Sequence, residues 1–339
     1  MAAHASSGEQ PMTRRLAIVA HFDARGELAP HVTRQLDMLA RSFDRVIVAS
    51  TSRLSDDARD QITKRADLVE RSNLGQDFGS WHQSLEMTGF AADYDELLLT
   101  NDSYVSVIDD LEPVMASMAE RPVEVWGLTK SWRHTEHIQS YFLHFTKAAL
   151  RSQAFHRFWS DFRPAADRTS AIMGQELGIS RAMMASGFRL GSYFEPTTAE
   201  RHLANRRGVH WLLRRRRAFP AHFAGFEDHF RIRHARDPEE SNRLNWATDF
   251  ADFVFDRARY PLVKFDTLRY DPHWLDSAKL LALCEEEFPD AFAGVRSYMD
   301  ETAHVYPGRP LENSGSARLD PITARAVGYR RQRSRGLKE

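Results

Sequence analysis

The segment Leu97-Leu98-Leu99-Thr100-Asn101-Asp102-Ser103 stops an apolar run at an acid flanked by two hydrogen-bonding side chains. A carboxylate in that position can hold a divalent cation against a diphosphate, because magnesium and manganese take hard oxygen ligands and share a few protein carboxylates with substrate phosphates. Asn, Asp and Ser also favour turns, so a plain strand-end turn accounts for the same residues. A second cluster, Arg71 to Trp81, carries Asn73, Gly75, Asp77 and Gly79 where a helix begins. Glycine admits close backbone approach and helix N-termini attract phosphate, although an ordinary strand-to-helix loop would look alike. Glu176, within Gly174-Gln175-Glu176-Leu177-Gly178, is a third acid; it suits deprotonation of an acceptor hydroxyl, or simply a solvent-facing helix position. His134, Glu136 and His137 offer three metal-ligating side chains, but at a spacing that matches no dependable zinc motif.

The elements that must position these residues follow from hydrophobic periodicity. Arg15 to Ala20 reads as a buried strand running into His21-Phe22-Asp23, and Val32, Leu36, Leu39 and Phe43 recur at helical spacing before a second strand, Val46 to Ala49. Strand, helix, strand implies a parallel crossover. The alternation continues with a helix over 56–66, a strand over 67–70, a helix over 78–90 and a strand over 96–100, so a doubly wound α/β sheet is expected. Ligands of such sheets lie beyond the carboxyl ends of the strands, which sends His21-Phe22-Asp23, Ser50-Thr51, Arg71-Ser72-Asn73 and Asn101-Asp102-Ser103 to one crevice. Farther on, 123–128 resembles a strand, 138–149 fits strand or helix, and 168–185 looks helical.

Composition narrows the classes. The 339 residues carry 46 basic and 47 acidic side chains, a formal charge of -1, which excludes the excess of positive charge expected of a dedicated nucleic-acid binder. The one cysteine, Cys284, allows no internal disulfide and no paired-cysteine zinc site, as expected of a protein in a reducing cytoplasm. No apolar stretch approaches the ~20 residues of a membrane helix. Seven arginines stand within 201–217, ending in Arg214-Arg215-Arg216-Arg217 just after Trp211-Leu212-Leu213. Such a helix would bring arginines to anionic lipid at the inner face of the membrane; a solvated basic face, or arginines paired with acids elsewhere in the fold, is the alternative. The expected organisation is a flexible 1–14, a catalytic domain over 15–200, a helical part over 201–305 that contacts acceptor or membrane, and a flexible basic tail over 306–339.

Taken in order, Val19-Ala20-His21-Phe22-Asp23, Arg71-x-Asn73-x-Gly75-x-Asp77-Phe78-Gly79-Ser80-Trp81, Leu99-Thr100-Asn101-Asp102-Ser103, Trp126-Gly127-Leu128-Thr129, His137-Ile138-Gln139-Ser140-Tyr141-Phe142-Leu143 and Glu176-Leu177-Gly178-Ile179-Ser180 resemble the rhamnan synthesis F family, with Pro261-Leu262-Val263-Lys264-Phe265 a late addition. The resemblance spans roughly His21 to Asp271. It implies extension of rhamnose-containing or related surface polysaccharides from a nucleotide-sugar donor, dTDP-rhamnose being one such donor, onto a glycan or lipid-diphosphate-linked acceptor. The order of motifs is also similar to inverting transferases of the GT-A fold. By that likeness Asp102 takes the metal or diphosphate role, with Mg2+ or Mn2+ as cofactor, and Glu176 the role of base. Asp23, Asn73, Gly75, Asp77, Asn101 and Ser103 would contact the donor, and His137, Gln139 and Tyr141 would line the sugar or acceptor pocket. The usual aspartate-x-aspartate appears here as Asn101-Asp102-Ser103, with one carboxylate. A non-catalytic scaffold of polysaccharide assembly is the main rival. A nucleotidyltransferase is another, although no phosphate-anchoring glycine-lysine loop is present.

Overall fold

The chain is described here from a computed structural model, which covers residues 13–132, 135–218, 245–306 and 321–329. Its first strand, β1 (Arg15–His21), is apolar from Leu16 to Ala20, and Leu16, Ala17, Ile18 and Val19 are all fully buried. A strand buried on both faces belongs in the middle of a covered parallel sheet. It pairs in parallel with β2 (Arg45–Ser50) on one side and β4 (Glu96–Asn101) on the other, while β3 (Asp67–Glu70) extends the sheet beyond β2. Between them run α1 (Pro30–Ser42), α2 (Asp56–Thr63) and α3 (Gln76–Met87).

Alternation of side chains along these strands builds two cores. Ala17, Val19, Val46, Val48 and Leu98 meet Leu36 and Met38 of α1 and Ile62 of α2. Leu16, Ile18, Ile47, Leu97 and Leu99 meet Phe78, Trp81 and Leu85 of α3. That second face is aromatic: Phe155 and Trp159 join it, and Phe78 packs on the Trp159 ring at 5.9 Å.

After β5 (Tyr104–Ser106) and α4 (Glu112–Ala119) come β6 (Val125–Gly127), the short pair β7 (Lys130–Ser131) and β8 (His137–Ile138), and β9 (Phe142–Phe145). The stretch 138–149, which fitted either assignment, is strand first and then a one-turn helix, α5 (Lys147–Leu150). α6 (Gln153–Ser160) follows. The helix expected over 168–185 is broken: α7 (Arg168–Ala171) leads into a π-helical turn, Ile172–Glu176, before α8 (Leu177–Ala185). With β10 (Leu190–Ser192) the sheet has seven strands in the order β10-β6-β9-β4-β1-β2-β3. β9 alone runs antiparallel to its neighbours β4 and β6. This is the mostly parallel, doubly wound α/β layout expected from the alternation.

The C-terminal part does not stand apart at residue 200. α9 (Thr198–Ala218) starts before it, and β11 (Leu262–Lys264) returns to pair antiparallel with β5, register Lys264 to Tyr104. A third core joins Val105, Val107 and Phe194 to Val263, Phe250, Phe253 and Leu280. Residues 321–329, expected within a flexible tail, instead form the helix Pro321–Ala326 and pack Ala324, Val327 and Tyr329 on Leu275. The rest of the expected tail, 307–320 and 330–339, and residues 1–12 of the expected flexible N-terminus lie outside the described residues.

α9 also shows what several of the clustered arginines do. Arg207, 3% exposed, makes a two-pronged pair with the buried Asp252 carboxylate, both contacts at 2.8 Å, and donates to the carbonyls of Asp249 and Val327. Arg214 donates to Trp274 O at 2.6 Å, and the Trp211 indole N–H donates to Pro272 O at 3.1 Å. Trp211 and Arg214, assigned from sequence to a lipid surface, are thus engaged with residues 272–274. Arg217 is exposed, and the side chains of Arg215 and Arg216 lie outside the described residues. No helix among the described residues is long and apolar enough to cross a membrane. Arg207→Met should cost about 3–5 kcal/mol in denaturant unfolding, because it strands the Asp252 charge, whereas Arg217→Gln should stay within about 0.5 kcal/mol. Equal costs would mean that Arg207 is not holding Asp252 in the core.

Candidate functional site

The carboxyl ends of β1, β2 and β4 open on one cleft of about 740 Å³, reached by His21, Phe22, Thr51 and Asn101-Asp102-Ser103. The turn after β4 is pinned from below by buried donors: the Trp81 indole N–H to Thr100 O at 2.9 Å and the Gln35 amide to Asn101 O at 3.0 Å. His31 Nε2 lies 3.0 Å from Asp102 O. Burial pushes the His31 imidazole down to about 4, so a neutral ring donates this bond, stacked on Phe265 at 4.4 Å. The backbone of Asp102 is therefore fixed, and its side chain is presented to the cleft.

Asp102 Oδ2 accepts the Phe22 N–H at 2.7 Å. Loss of water outweighs that bond, with the Asp77 charge adding to it, and the Asp102 carboxyl is pushed up to about 7. Asn101 donates to Asp77 Oδ2 at 2.7 Å and accepts from Ser103 N and Oγ through Oδ1. Asn73 also lines the cleft. Asp77, Asn101 and Ser103 thus form one hydrogen-bonded chain in the cleft that Asp102 also lines.

Glu176, the last residue of the π-helical turn, lines the same cleft. Turns of this kind recur at functional sites because the extra residue redirects side chains. Ile172, Met173 and Glu176 face the cleft, whereas Gly174 and Gln175 line a separate depression beside Phe158 and Arg163. Glu176 Oε2 accepts Ser140 N at 2.8 Å and also the Ser140 hydroxyl, and Oε1 lies 3.6 Å from His137 Nε2. His137 Nδ1 is 2.8 Å from Thr135 O, which assigns its proton to Nδ1 and leaves Nε2 toward the carboxylate. Gln139 and Tyr141 line the same cleft, but their polar ends meet at Thr129 Oγ1, at 2.6 and 2.7 Å. They shape the wall more than they offer hydrogen bonds.

Two expected donor contacts are not among the residues lining the cleft. Asp23, 3% exposed, accepts the N–H groups of Arg25 and Glu27 and the Tyr298 hydroxyl, which ties the loop after β1 to the C-terminal helices. Gly75 caps α3 in the left-handed region at φ 83°, against Pro164, so its freedom serves the turn. Gly79 serves packing too: a Cβ there would stand 2.1 Å from Leu74 O. Of the three-ligand zinc set, Glu136 pairs with Lys130 at 3.0 Å, His137 faces Glu176, and His134 lies outside the described residues.

Lys264 was given no role by the sequence. β11 carries its ammonium into the cleft, against Ser103 Oγ and 4.4 Å from the centre of the Tyr141 ring. Burial pushes Lys264 down to about 8, against the opposing pull of Asp266, Asp77, Glu176 and Asp102. The signal that could have found it is a lysine closing the apolar run Pro261-Leu262-Val263, the pattern of a strand that ends in a polar group.

A divalent ion asks for several hard oxygens. Asp102 supplies one carboxylate with one oxygen already bonded to Phe22 N–H, and Asp77 is bonded to Asn101. Among the described residues no group of three or more His, Cys, Asp or Glu side chains could hold a metal ion. The side chains present do not by themselves fit a resident Mg2+ or Mn2+.

Comparison with known proteins agrees with the resemblance read from the motifs. Residues 46–210 match the family described as Rhamnan synthesis protein F, a narrower span than the motifs implied, which takes in Asn73 to Glu176 but neither Asp23 nor Lys264. A protein of Sinorhizobium fredii, "Uncharacterized protein y4gN", is 24% identical over 197 residues, 56% of this chain and 51% of its own length. The matched region thus spans about half of that relative. Among solved structures, a nucleotidyl transferase from Methanothermobacter is 11% identical at TM-score 0.35, covering 53% of this chain and 86% of its own. Glucosyl-3-phosphoglycerate synthase from Mycobacterium tuberculosis, solved with Mn2+, UDP-glucose and phosphoglyceric acid, is 10% identical at TM-score 0.31, covering 52% and 81%. The likeness at these scores is partial, and the α/β assignment is carried by the strand order.

Proposed function

We propose that this chain is a nucleotide-sugar-dependent glycosyltransferase that extends a surface polysaccharide or a lipid-diphosphate-linked glycan, with rhamnose one candidate sugar. The observation that carries this reading is that Asp102, at the end of β4, and Glu176, on the π-helical turn, wall one cleft at the carboxyl ends of the parallel strands. In the reaction we infer, Glu176 takes the proton of an acceptor hydroxyl as the oxygen attacks the anomeric carbon. The bond from that carbon to the diphosphate breaks, its electron pair stays on the phosphate oxygen, and the sugar inverts. Asp102 and its neighbours Asn101, Ser103 and Asp77 orient the donor. Asp102 is the residue that would stand beside a Mg2+ or Mn2+ ion carried in with the donor, whose chemistry would be to neutralise diphosphate charge.

Thermal melting against a panel of nucleotide sugars, with and without manganese, tests the reading. At a hundredfold excess over Kd a true donor stabilises the folded state by about 2.7 kcal/mol and should raise Tm by several degrees. Release of nucleoside diphosphate should follow when that donor is supplied with an acceptor glycan. No shift with any donor, together with binding of free glycan, would instead favour a non-catalytic assembly protein; release of pyrophosphate would favour a nucleotidyltransferase.

A further inference from the structure

The cleft is acidic for a site that must receive a diphosphate. Asp77, Asp102, Glu176 and Asp266 all line it, and among the described residues that do so Lys264 is the one lysine or arginine. Phosphate oxygens demand positive charge or aimed N–H groups, and a charge held in a partly desolvated wall acts more strongly than one in water. We propose that the Lys264 ammonium is the cation that binds the donor's diphosphate and stabilises it as it leaves, an assignment that rests on the glycosyltransferase reading.

The geometry gives Lys264 that position for definite reasons. The β11–β5 pairing sets Lys264 opposite Tyr104, and Phe265 N donates to Ser103 O at 2.8 Å, so the backbone on both sides of the lysine is fixed against the Asn101-Asp102-Ser103 turn. Ser103 Oγ and the Tyr141 ring hold the ammonium itself. Asp102, Asp77, Glu176 and Asp266 favour its charged form, so each carboxylate on the wall serves to keep the cation protonated in a site that would otherwise strip its proton. As the bond to the anomeric carbon breaks, the electron pair goes to the phosphate oxygen. Lys264 keeps its proton throughout and answers the new charge by hydrogen bonding alone. The remaining lysine function, as a mere counter-ion to the acids, would leave donor binding unchanged on removal of its charge.

The test uses the whole chain and three probes, UDP, GDP and dTDP, with the matching nucleosides as controls, by calorimetry in EDTA. Lys264→Met and Lys264→Gln should each weaken diphosphate binding about 10- to 100-fold, the value of a charge-assisted contact, without changing nucleoside binding. Lys264→Arg should restore most of it. The Gln variant keeps a polar contact to Ser103 and serves if the Met variant does not fold. Wild-type binding that survives EDTA and is lost in the Met or Gln variant supports the proposal. Equal binding by wild type and variant overturns it, as does wild-type binding that EDTA abolishes and Mn2+ restores. Failure of the wild type to bind any of the three diphosphates, with or without Mn2+, overturns the glycosyltransferase reading as well, and so separates the two.

Discussion

Glu176→Gln should lower turnover at least ~100-fold while leaving donor affinity within about twofold, the pattern of a group that acts on a proton in the transition state. The substitution is close to silent in shape. Ser140 N and Oγ hold Oε2 of the carboxylate, and a glutamine carbonyl can accept the same bonds. What changes is the second position, Oε1, which faces His137 Nε2 at 3.6 Å and becomes an amide that takes no proton. On the proposed reading the donor is held by Asp102 and Asn101 rather than by Glu176, so binding and turnover should separate. Turnover and donor affinity measured on the same preparation decide the matter. A variant that turns over like the wild type removes Glu176 from the chemistry and leaves His137, beside it, as the next base to test.

The sheet was legible because its central strands carry unbroken apolar runs, Leu16 to Ala20, Val46 to Ala49 and Leu97 to Leu99. In β1, β2 and β4 almost every side chain is buried, and period and length alone distinguish them from the helices between. Strand order then carried Asn101-Asp102-Ser103, His21 and Asn73 to one cleft before any side chain was placed. The limits are equally physical. Lys264 reaches Ser103 across 161 residues through a three-residue strand, too short to leave a periodic signal. Asp23 sits at a strand end as expected, yet Tyr298, 275 residues away, takes up its carboxylate. The π-helical turn before α8 has the composition of an ordinary helix, so the side on which Glu176 emerges depends on a one-residue shift that no propensity scale records. Arg207 and Arg217 belong to one basic stretch of α9, and only the acids and carbonyls brought up by later segments make one of them buried and the other exposed.

Asp102→Asn should remove transfer and stabilise the free protein together. Activity should fall at least ~100-fold, because the cleft loses the carboxylate at the end of β4 that the proposed reading places beside the donor. The fold should survive, since an asparagine carbonyl can still accept the Phe22 N–H and His31 reaches only the backbone carbonyl. Stability should move the other way for a reason of sign. Burial raises the Asp102 carboxyl from 3.8 in the open chain to about 7 in the folded one, so the folded state holds the proton more tightly. Its contribution is fully present below about 3.8 and is lost as pH rises through 7, which leaves wild type with a buried, poorly solvated charge above that pH. Asparagine carries no such charge. The variant should therefore match wild type near pH 4 and melt a few degrees higher at pH 8, a gain on the order of 1–3 kcal/mol. Lys264 loses one counter-charge in the exchange, but Asp266, Asp77 and Glu176 remain around it. Melting curves at the two pH values, beside turnover at pH 8, give the answer. Lost activity with a raised Tm marks a carboxylate kept for chemistry at the expense of stability. A variant less stable than wild type at pH 8 would mean that the pairing of Asp102 with Lys264 outweighs the cost of burying it, and that this wall is an ion pair built for the fold.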